Sequence, residues 1–262
     1  MARPTSIAQL RDVTQPPEVR TRRGAEHWTA SLYLRNLSPY VTWVLLATPI
    51  SANGVTGLMI LTGWATAASL LIPGVAGAAL AVALGQLQML IDCCDGEVAR
   101  WRRTSSPAGQ FLDAIGHYTT ELLIAIALGV RAAAWPIETP GDYGWLLLGV
   151  LLALTLVMNK ALNDLVRVAR AGAGLDKVVS AAEAQASASG IAMLRRIVKF
   201  VPFHRMFHSV ELTIVVFVAS LIALAAGSPL TDRILIVALV IIAAITVAGH
   251  FVMIMASRRL RA

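Results

Sequence analysis

Six apolar stretches, at about residues 53–72, 75–101, 107–133, 143–170, 208–226 and 231–256, recur along the chain. Each is close to or above the roughly 20 residues an α-helix needs to cross bilayer hydrocarbon. Inside lipid every backbone N–H and C=O has to be satisfied within its own segment, so such runs resolve into helices. Their recurrence argues against a soluble globule with an oversized core. The chain is 57% hydrophobic and only 14% charged, where a soluble domain carries about 25% charged residues.

Local signals set the ends. Asn53 is placed to cap the first span and the Pro73-Gly74 turn closes it, while Pro107 suits the first position of the third. Residues 28–48 mix Trp28, Tyr33, Tyr40 and Trp43 with polar groups around Pro39, which suits a helix lying in the headgroup layer. The expected fold is therefore an all-α integral membrane protein, with six transmembrane helices preceded by an N-terminal interfacial amphipathic helix. It forms one membrane-embedded domain over 28–262, with a short basic C-terminal tail. Residues 1–27 are polar, lack an apolar signal-peptide core and read as a cytosolic tail. Residues 171–190 form a small-residue connection, helical or disordered.

Charge orients the bundle. Arg100, Arg102, Arg103, Arg167, Arg170, Lys177, Arg195, Arg196, Lys199, Arg205, Arg258, Arg259 and Arg261 fall on one side. The connections near Pro73, 134–142 and Ser228 are poor in cations, with Arg233 the exception. The basic side is expected to be cytosolic, which puts both termini inside and agrees with six spans. The net charge of +7 then marks loops against anionic headgroups rather than nucleic-acid binding. The Ala- and Arg-rich, Lys-poor usage is bacterial in style, and a multi-pass protein of the plasma membrane is expected.

Against this apolar background stand Asp92, Asp95 and Asp113. Each costs about 2.5–3.5 kcal/mol at a helix centre even on the lenient insertion scale. Asp92, Asp95 and Ala99 share one helix face with Gly96 beside them; Gly109, Asp113 and His117 share a face of the next helix. Two antiparallel helices joined by the short basic turn 102–106 bring those faces together at the cytosolic boundary. The result is an oxygen-rich site for Mg²⁺ or Mn²⁺, large enough for two ions. Gly96, Ala99 and Gly109 let a ligand approach the backbone, and Arg100 supplies a cation suited to phosphate or to orienting a carboxylate. A structural pairing of all three acids with arginines is disfavoured, because too few cations lie within the spans.

This pattern resembles the CDP-alcohol phosphotransferase (CDP-alcohol phosphatidyltransferase) family, whose motif is D-x2-D-G-x2-A-R-x8-G-x3-D-x3-D. Asp92, Asp95, Gly96, Ala99, Arg100, Gly109 and Asp113 match it in identity and spacing; the last position is His117 instead of Asp. Residues Asn53 to Thr56 are similar to the family's P-N-x-V-T opening of the first span, with Ala52 where proline is usual. The resemblance implies membrane enzymes of phospholipid synthesis in which the motif's aspartates coordinate two divalent ions holding the diphosphate of a CDP-linked donor. An acceptor hydroxyl attacks the donor's β-phosphorus and CMP leaves. By the same resemblance Asn53, Thr56, Asp92, Gly96, Ala99, Arg100, Gly109 and Asp113 bind the nucleotide. The motif's last position, here His117, is a metal ligand and general base. A homodimer is also implied. The default donor is CDP-diacylglycerol, with a small alcohol or polyol phosphate as acceptor; a CDP-activated headgroup with a lipid or polyol acceptor uses the same chemistry.

Imidazole at 117 still ligates a metal and still accepts a proton. Three carboxylates with two divalent ions leave an excess positive charge, which favours an anionic acceptor or a softer second metal such as Mn²⁺ or Zn²⁺. Glu121, one turn (about 6 Å) deeper, is positioned to restore the charge and is a second catalytic candidate. A silent member of the family is the reading that turns on His117. An ion or proton transporter predicts acids spread through the membrane depth, unlike this clustered set.

Further candidates lie outside the motif. Asn159, Asn163 and Arg167 share one face of the fourth span, and Lys160 and Asp164 another, where they are expected to neutralise one another or to line an acceptor pocket. Arg195 and Arg196, in a basic stretch with Lys199, His204 and Arg205, suit headgroups or an acceptor phosphate. His208 and Glu211 are expected to pair within the bundle, and His250 to be packed or hydrogen-bonded. Cys93 and Cys94 read as packing residues; adjacent cysteines on a helix do not reach disulfide geometry.

Overall fold

The computed structural model describes residues 3–17, 28–134, 136–175, 206–228, 230–256 and 260. All regular structure among them is helical. Eight α-helices follow in order: α1 (Ile7–Thr14), α2 (Arg35–Leu46, entered through a π-helical turn at Ala30–Leu34), α3 (Ala52–Ser69), α4 (Gly74–Arg102), α5 (Pro107–Ala133), α6 (Tyr143–Gly172), α7 (Ser209–Ala226) and α8 (Leu230–Ala256). A 3₁₀ turn at Pro140–Asp142 leads into α6.

The ends follow from side-chain chemistry. Ser51 and Ser106 cap α3 and α5 by accepting from the N–H groups of Gly54 and Gly109. Pro107 occupies the first turn of α5, where its missing N–H is harmless. Gly227 ends α7 in the left-handed region at φ 61°.

Five helical segments are long and apolar enough to cross a membrane: Gly74–Arg102, Pro107–Ala133, Pro140–Gly172, Ser209–Ala226 and Leu230–Ala256. They coincide with the second to sixth expected spans, so the chain is a multi-pass α-helical membrane protein. The first expected span is present as α3, but Asn53, three glycines and three threonines dilute its apolarity and it falls outside that set. It is packed into the bundle, against α4 and α5. The main core joins α3 to α8 through Leu70, Ile124, Leu152, Leu212, Ile236 and Leu239, all buried. At one crossing α5 and α6 meet backbone to backbone: a Cβ on Gly149 would lie 2.7 Å from the Gly129 Cα. Only small residues permit such an approach between membrane helices.

α4 spans 29 residues, about 43 Å at 1.5 Å per residue, longer than the roughly 30 Å of hydrocarbon it has to cross. Asp92 lies about 27 Å from its start, and Asp113 about 30 Å from the far end of α5. Both acids therefore lie about one hydrocarbon thickness from the far ends of their helices.

The far end is stapled by two arginines. Arg131 lies 3.0 Å from Asp232 and donates to Gly74 O and Ser220 Oγ, each at 3.0 Å. Arg233 pairs with Asp142 at 2.9 Å and stacks on Trp145. Arg131 thus joins Arg233 as a cation on the side expected to be poor in them, and an acid partners each.

The stretch expected as an N-terminal tail holds α1, with Ser6 as N-cap and Leu10, Thr14 and Gln15 buried against α2 and α4. In α2, Pro39 supplies no N–H to the carbonyl four residues back, that of Arg35. Gln15 Nε2 takes that role, donating to Arg35 O at 2.7 Å. The α2 region carries the expected exposed aromatics, Trp28, Tyr33 and Tyr40.

Candidate active site

The motif candidates converge as the helical faces dictate. His117 Nε2 lies 3.3 Å from Asp92 Oδ1 and 3.4 Å from Asp113 Oδ1. One ligand atom from each of Asp92, Asp113 and His117 lies within 4.8 Å of the others, close enough to share a cation. Asp113 Oδ1 is buried and makes no well-aligned hydrogen bond, with His117 Nε2 its near neighbour, an environment that suits an oxygen shared with a metal ion. The donor set of two carboxylates and one imidazole fits a divalent ion and tolerates Mn²⁺ or Zn²⁺ as well as Mg²⁺.

Asp95, one turn along α4 from Asp92, accepts from Thr56 Oγ1 at 2.7 Å. A Cβ on Gly109 would come within 3.2 Å of Asn53 Oδ1, so the start of α3 lies directly against the start of α5. Asn53, Thr56, Asp95 and Gly109 thus line the join of three helices. Arg100 folds back over Gly96, where a Cβ would meet its guanidinium at 3.1 Å, and its Nε donates to Thr14 O at 2.5 Å. Its guanidinium is thereby anchored to α1. Ala99 packs against the small cluster of Ala52, Val55, Cys94 and Val98.

Glu121 is taken up elsewhere. Lys160 Nζ lies 2.8 Å and His208 Nδ1 3.2 Å from its Oε1, and Glu121 is only 4% exposed. This corrects the expected pairing of Lys160 with Asp164: a spacing of four allows contact along a helix, but the buried carboxylate across the bundle is the stronger partner. Asp164 instead accepts from Tyr118 Oη at 2.6 Å and pairs with Arg167 at 3.2 Å. Lys160 Nζ also lies 5.3 Å from the Tyr118 ring centre.

The other face of α6 points away from the metal-ligating cluster. Asn159 Oδ1 lies 2.8 Å from His250 Nδ1, Asn163 is exposed, and the Arg167 side chain is 81% exposed. Of these acceptor candidates Lys160 alone faces the Glu121 side of the bundle. Glu211 accepts from Trp28 Nε1 at 2.8 Å and His208 Nδ1 lies 3.2 Å from Glu121, so each has a partner across the bundle. Arg195, Arg196, Lys199, His204 and Arg205 lie outside the described residues. Cys93 and Cys94 are buried and free, as expected of packing residues.

Three groups escaped the sequence reading. Glu97, inside the motif, is fully buried and hydrogen-bonded on the opposite side of α4. One turn below Asp92, the fully buried Gln88 donates to Thr120 Oγ1 at 3.2 Å. Gly63 makes room for both: a Cβ there would lie 2.0 Å from Thr120 Oγ1 and 2.8 Å from Gln88 Nε2. For Glu97 the signal was present, since an acid within a span calls for a partner.

A family model for CDP-alcohol phosphatidyltransferases matches residues 49–226, from the turn before α3 to the end of α7. No individual curated protein matches the chain. The matched span contains every motif position, the Asp92, Asp113 and His117 cluster, and the Thr56 to Asp95 contact. The chain belongs to the CDP-alcohol phosphatidyltransferase family.

Proposed function

We propose that this protein transfers a substituted phosphate group from CDP-diacylglycerol to the hydroxyl of a small polyol or polyol phosphate, releasing CMP. Membership of the family carries the general reaction, transfer of a phosphate-bearing group from a CDP-alcohol. The observation that most supports the chemistry is the convergence of Asp92, Asp113 and His117, with Asp95 one turn along α4 from Asp92. Two bound divalent ions would neutralise the donor diphosphate and stabilise departing CMP.

The protein's own groups do the rest. Asp92, Asp95, Asp113 and His117 would hold the cations, and Thr56 orients Asp95 by its hydrogen bond. Asn53, Gly96, Ala99, Arg100 and Gly109 frame the cytidine side. The acceptor oxygen forms a new bond to the donor's β-phosphorus as the bond from that phosphorus to the CMP oxygen breaks. The hydroxyl proton passes to a base. His117 Nε2 is the nearest candidate, and it serves as base only in a state where that nitrogen is not ligating. Glu121 is the weaker candidate, because Lys160 already pairs with it and His208 Nδ1 already contacts the same oxygen. That same pairing leaves three carboxylates at the metal site, which supports an anionic acceptor. Lys160, in reach of the interior, is the acceptor-side cation we favour, with Arg195 and Arg196 beyond it in sequence.

We read α3 as a sixth span, which places both termini and the site on the cytoplasmic side of the plasma membrane, and the protein as a homodimer. The test is to incubate purified protein with CDP-diacylglycerol and a panel of polyols, polyol phosphates and serine, following CMP release with Mg²⁺ or Mn²⁺. Release that depends on a polyol phosphate supports the reading; no release with any acceptor and either metal refutes it.

A further inference from the structure

Helix α4 carries polar chemistry on two faces. At about 100° per residue, Glu97 lies about 140° around the axis from Asp92 and about 200° from Asp95, so it looks away from the metal-binding side. It is 0% exposed. Its Oε1 accepts from Gln15 Nε2 at 2.8 Å and from Ser38 Oγ, and lies 3.8 Å from the Arg35 guanidinium. Its Oε2 accepts from Thr42 Oγ1 at 2.7 Å. Both carboxylate oxygens are therefore engaged by side chains from α1 and α2.

The neighbouring contacts run the same way. Arg100 reaches the carbonyl of Thr14 at the end of α1, and Arg102 donates to the carbonyls of Ile50 and Thr48 ahead of α3. The last turns of α4 are thus fastened from behind to the segments that also place Asn53 and Thr56. Packing alone does not account for a carboxylate here, because an apolar side chain would join these helices without the cost of burying a charge. What charged hydrogen bonds add over apolar contact is direction.

We propose that Glu97 is a positioning residue. It sets the rotation of α4 so that Asp92 and Asp95 meet Asp113 and His117 in metal-binding register. The inference rests on the metal-dependent reading above and adds to it a residue on the far side of the helix.

The test uses the full-length chain in lipid nanodiscs, with Mn²⁺ binding followed by the EPR signal of the free ion, alongside thermal stability and steady-state kinetics. Glu97→Gln keeps the size of the side chain and removes the charge. It is expected to weaken Mn²⁺ binding about ten-fold, at the low end of what removing support behind metal ligands does, and to lower kcat more than it raises the donor KM. Gln15→Ala, which leaves the Ser38 and Thr42 contacts in place, is expected to weaken binding about three-fold, and carries the test if Glu97→Gln does not fold. Variants that lose thermal stability but bind Mn²⁺ like the wild type, well below their unfolding temperature, overturn the proposal and leave Glu97 a packing element. Asp92→Asn separates the two levels: if it too binds Mn²⁺ normally, the metal site itself has been misassigned.

Discussion

Replacing Lys160 by methionine removes the ammonium 2.8 Å from Glu121 and leaves a carboxylate that is 4% exposed with His208 Nδ1, 3.2 Å away, beside it. Breaking one side of a buried ion pair costs about 3–5 kcal/mol, because the surviving charge is stranded. Here the Lys160 side chain is 21% exposed and His208 remains, so the lower end, about 3 kcal/mol, is expected. At about 2–4 °C per kcal/mol for a chain of this size, the midpoint should fall by about 6–12 °C. The double variant Lys160→Met with Glu121→Gln removes both charges and should recover most of that loss, since an uncharged pair of similar volume is often neutral in stability. Thermal unfolding of detergent-solubilised protein, read by size-exclusion fluorescence, measures both. A midpoint for Lys160→Met within 2 °C of wild type, or a double variant as unstable as the single one, would refute the view that these groups form one compensated unit.

Thr56→Val deletes the hydrogen bond to Asp95 while keeping shape; a charge-assisted bond of this kind contributes about 1.5–3 kcal/mol, so donor kcat/KM should fall at least about ten-fold in the CMP-release assay. Gly149→Leu forces a side chain into a crossing where even a Cβ would meet the Gly129 Cα at 2.7 Å, and the variant is expected to lose its monodisperse size-exclusion peak. His117→Asp replaces the nitrogen donor with an oxygen and should move the metal preference from Mn²⁺ towards Mg²⁺, read as the ratio of half-saturating concentrations in CMP release. An unchanged ratio would place His117 outside the coordination shell.

Much of this architecture is legible residue by residue. The helix expected over 107–133 is found as Pro107–Ala133, because Ser106 and Pro107 announce its start locally. The expected span at 75–101 is found as Gly74–Arg102 for the same kind of reason. The convergence of Asp92, Asp113 and His117 follows from two helical periods and a short turn. What stayed hidden are the partners reached across the bundle. The pairing of Lys160 with Glu121 spans 39 positions, and a helical wheel offers Asp164 instead. Helix α1 was hidden because it is only eight residues long and, beside buried Leu10, much of what holds it is polar. Arg131 was overlooked because it ends an apolar helix whose charge is cancelled by Asp232, a residue about a hundred positions away.

A proline in a helix usually counts as a flaw, yet Pro39 works here as a socket. By withholding one N–H it leaves the oxygen of Arg35 to be served from outside, and a single amide, that of Gln15, plugs into that oxygen and into Glu97 together. Positions 15, 35, 39 and 97 are thereby tied into one hydrogen-bonded set. An alanine at 39 would let α2 close its own turn and compete with that amide for the Arg35 oxygen, loosening the first helix while leaving Asp92, Asp113 and His117 unchanged.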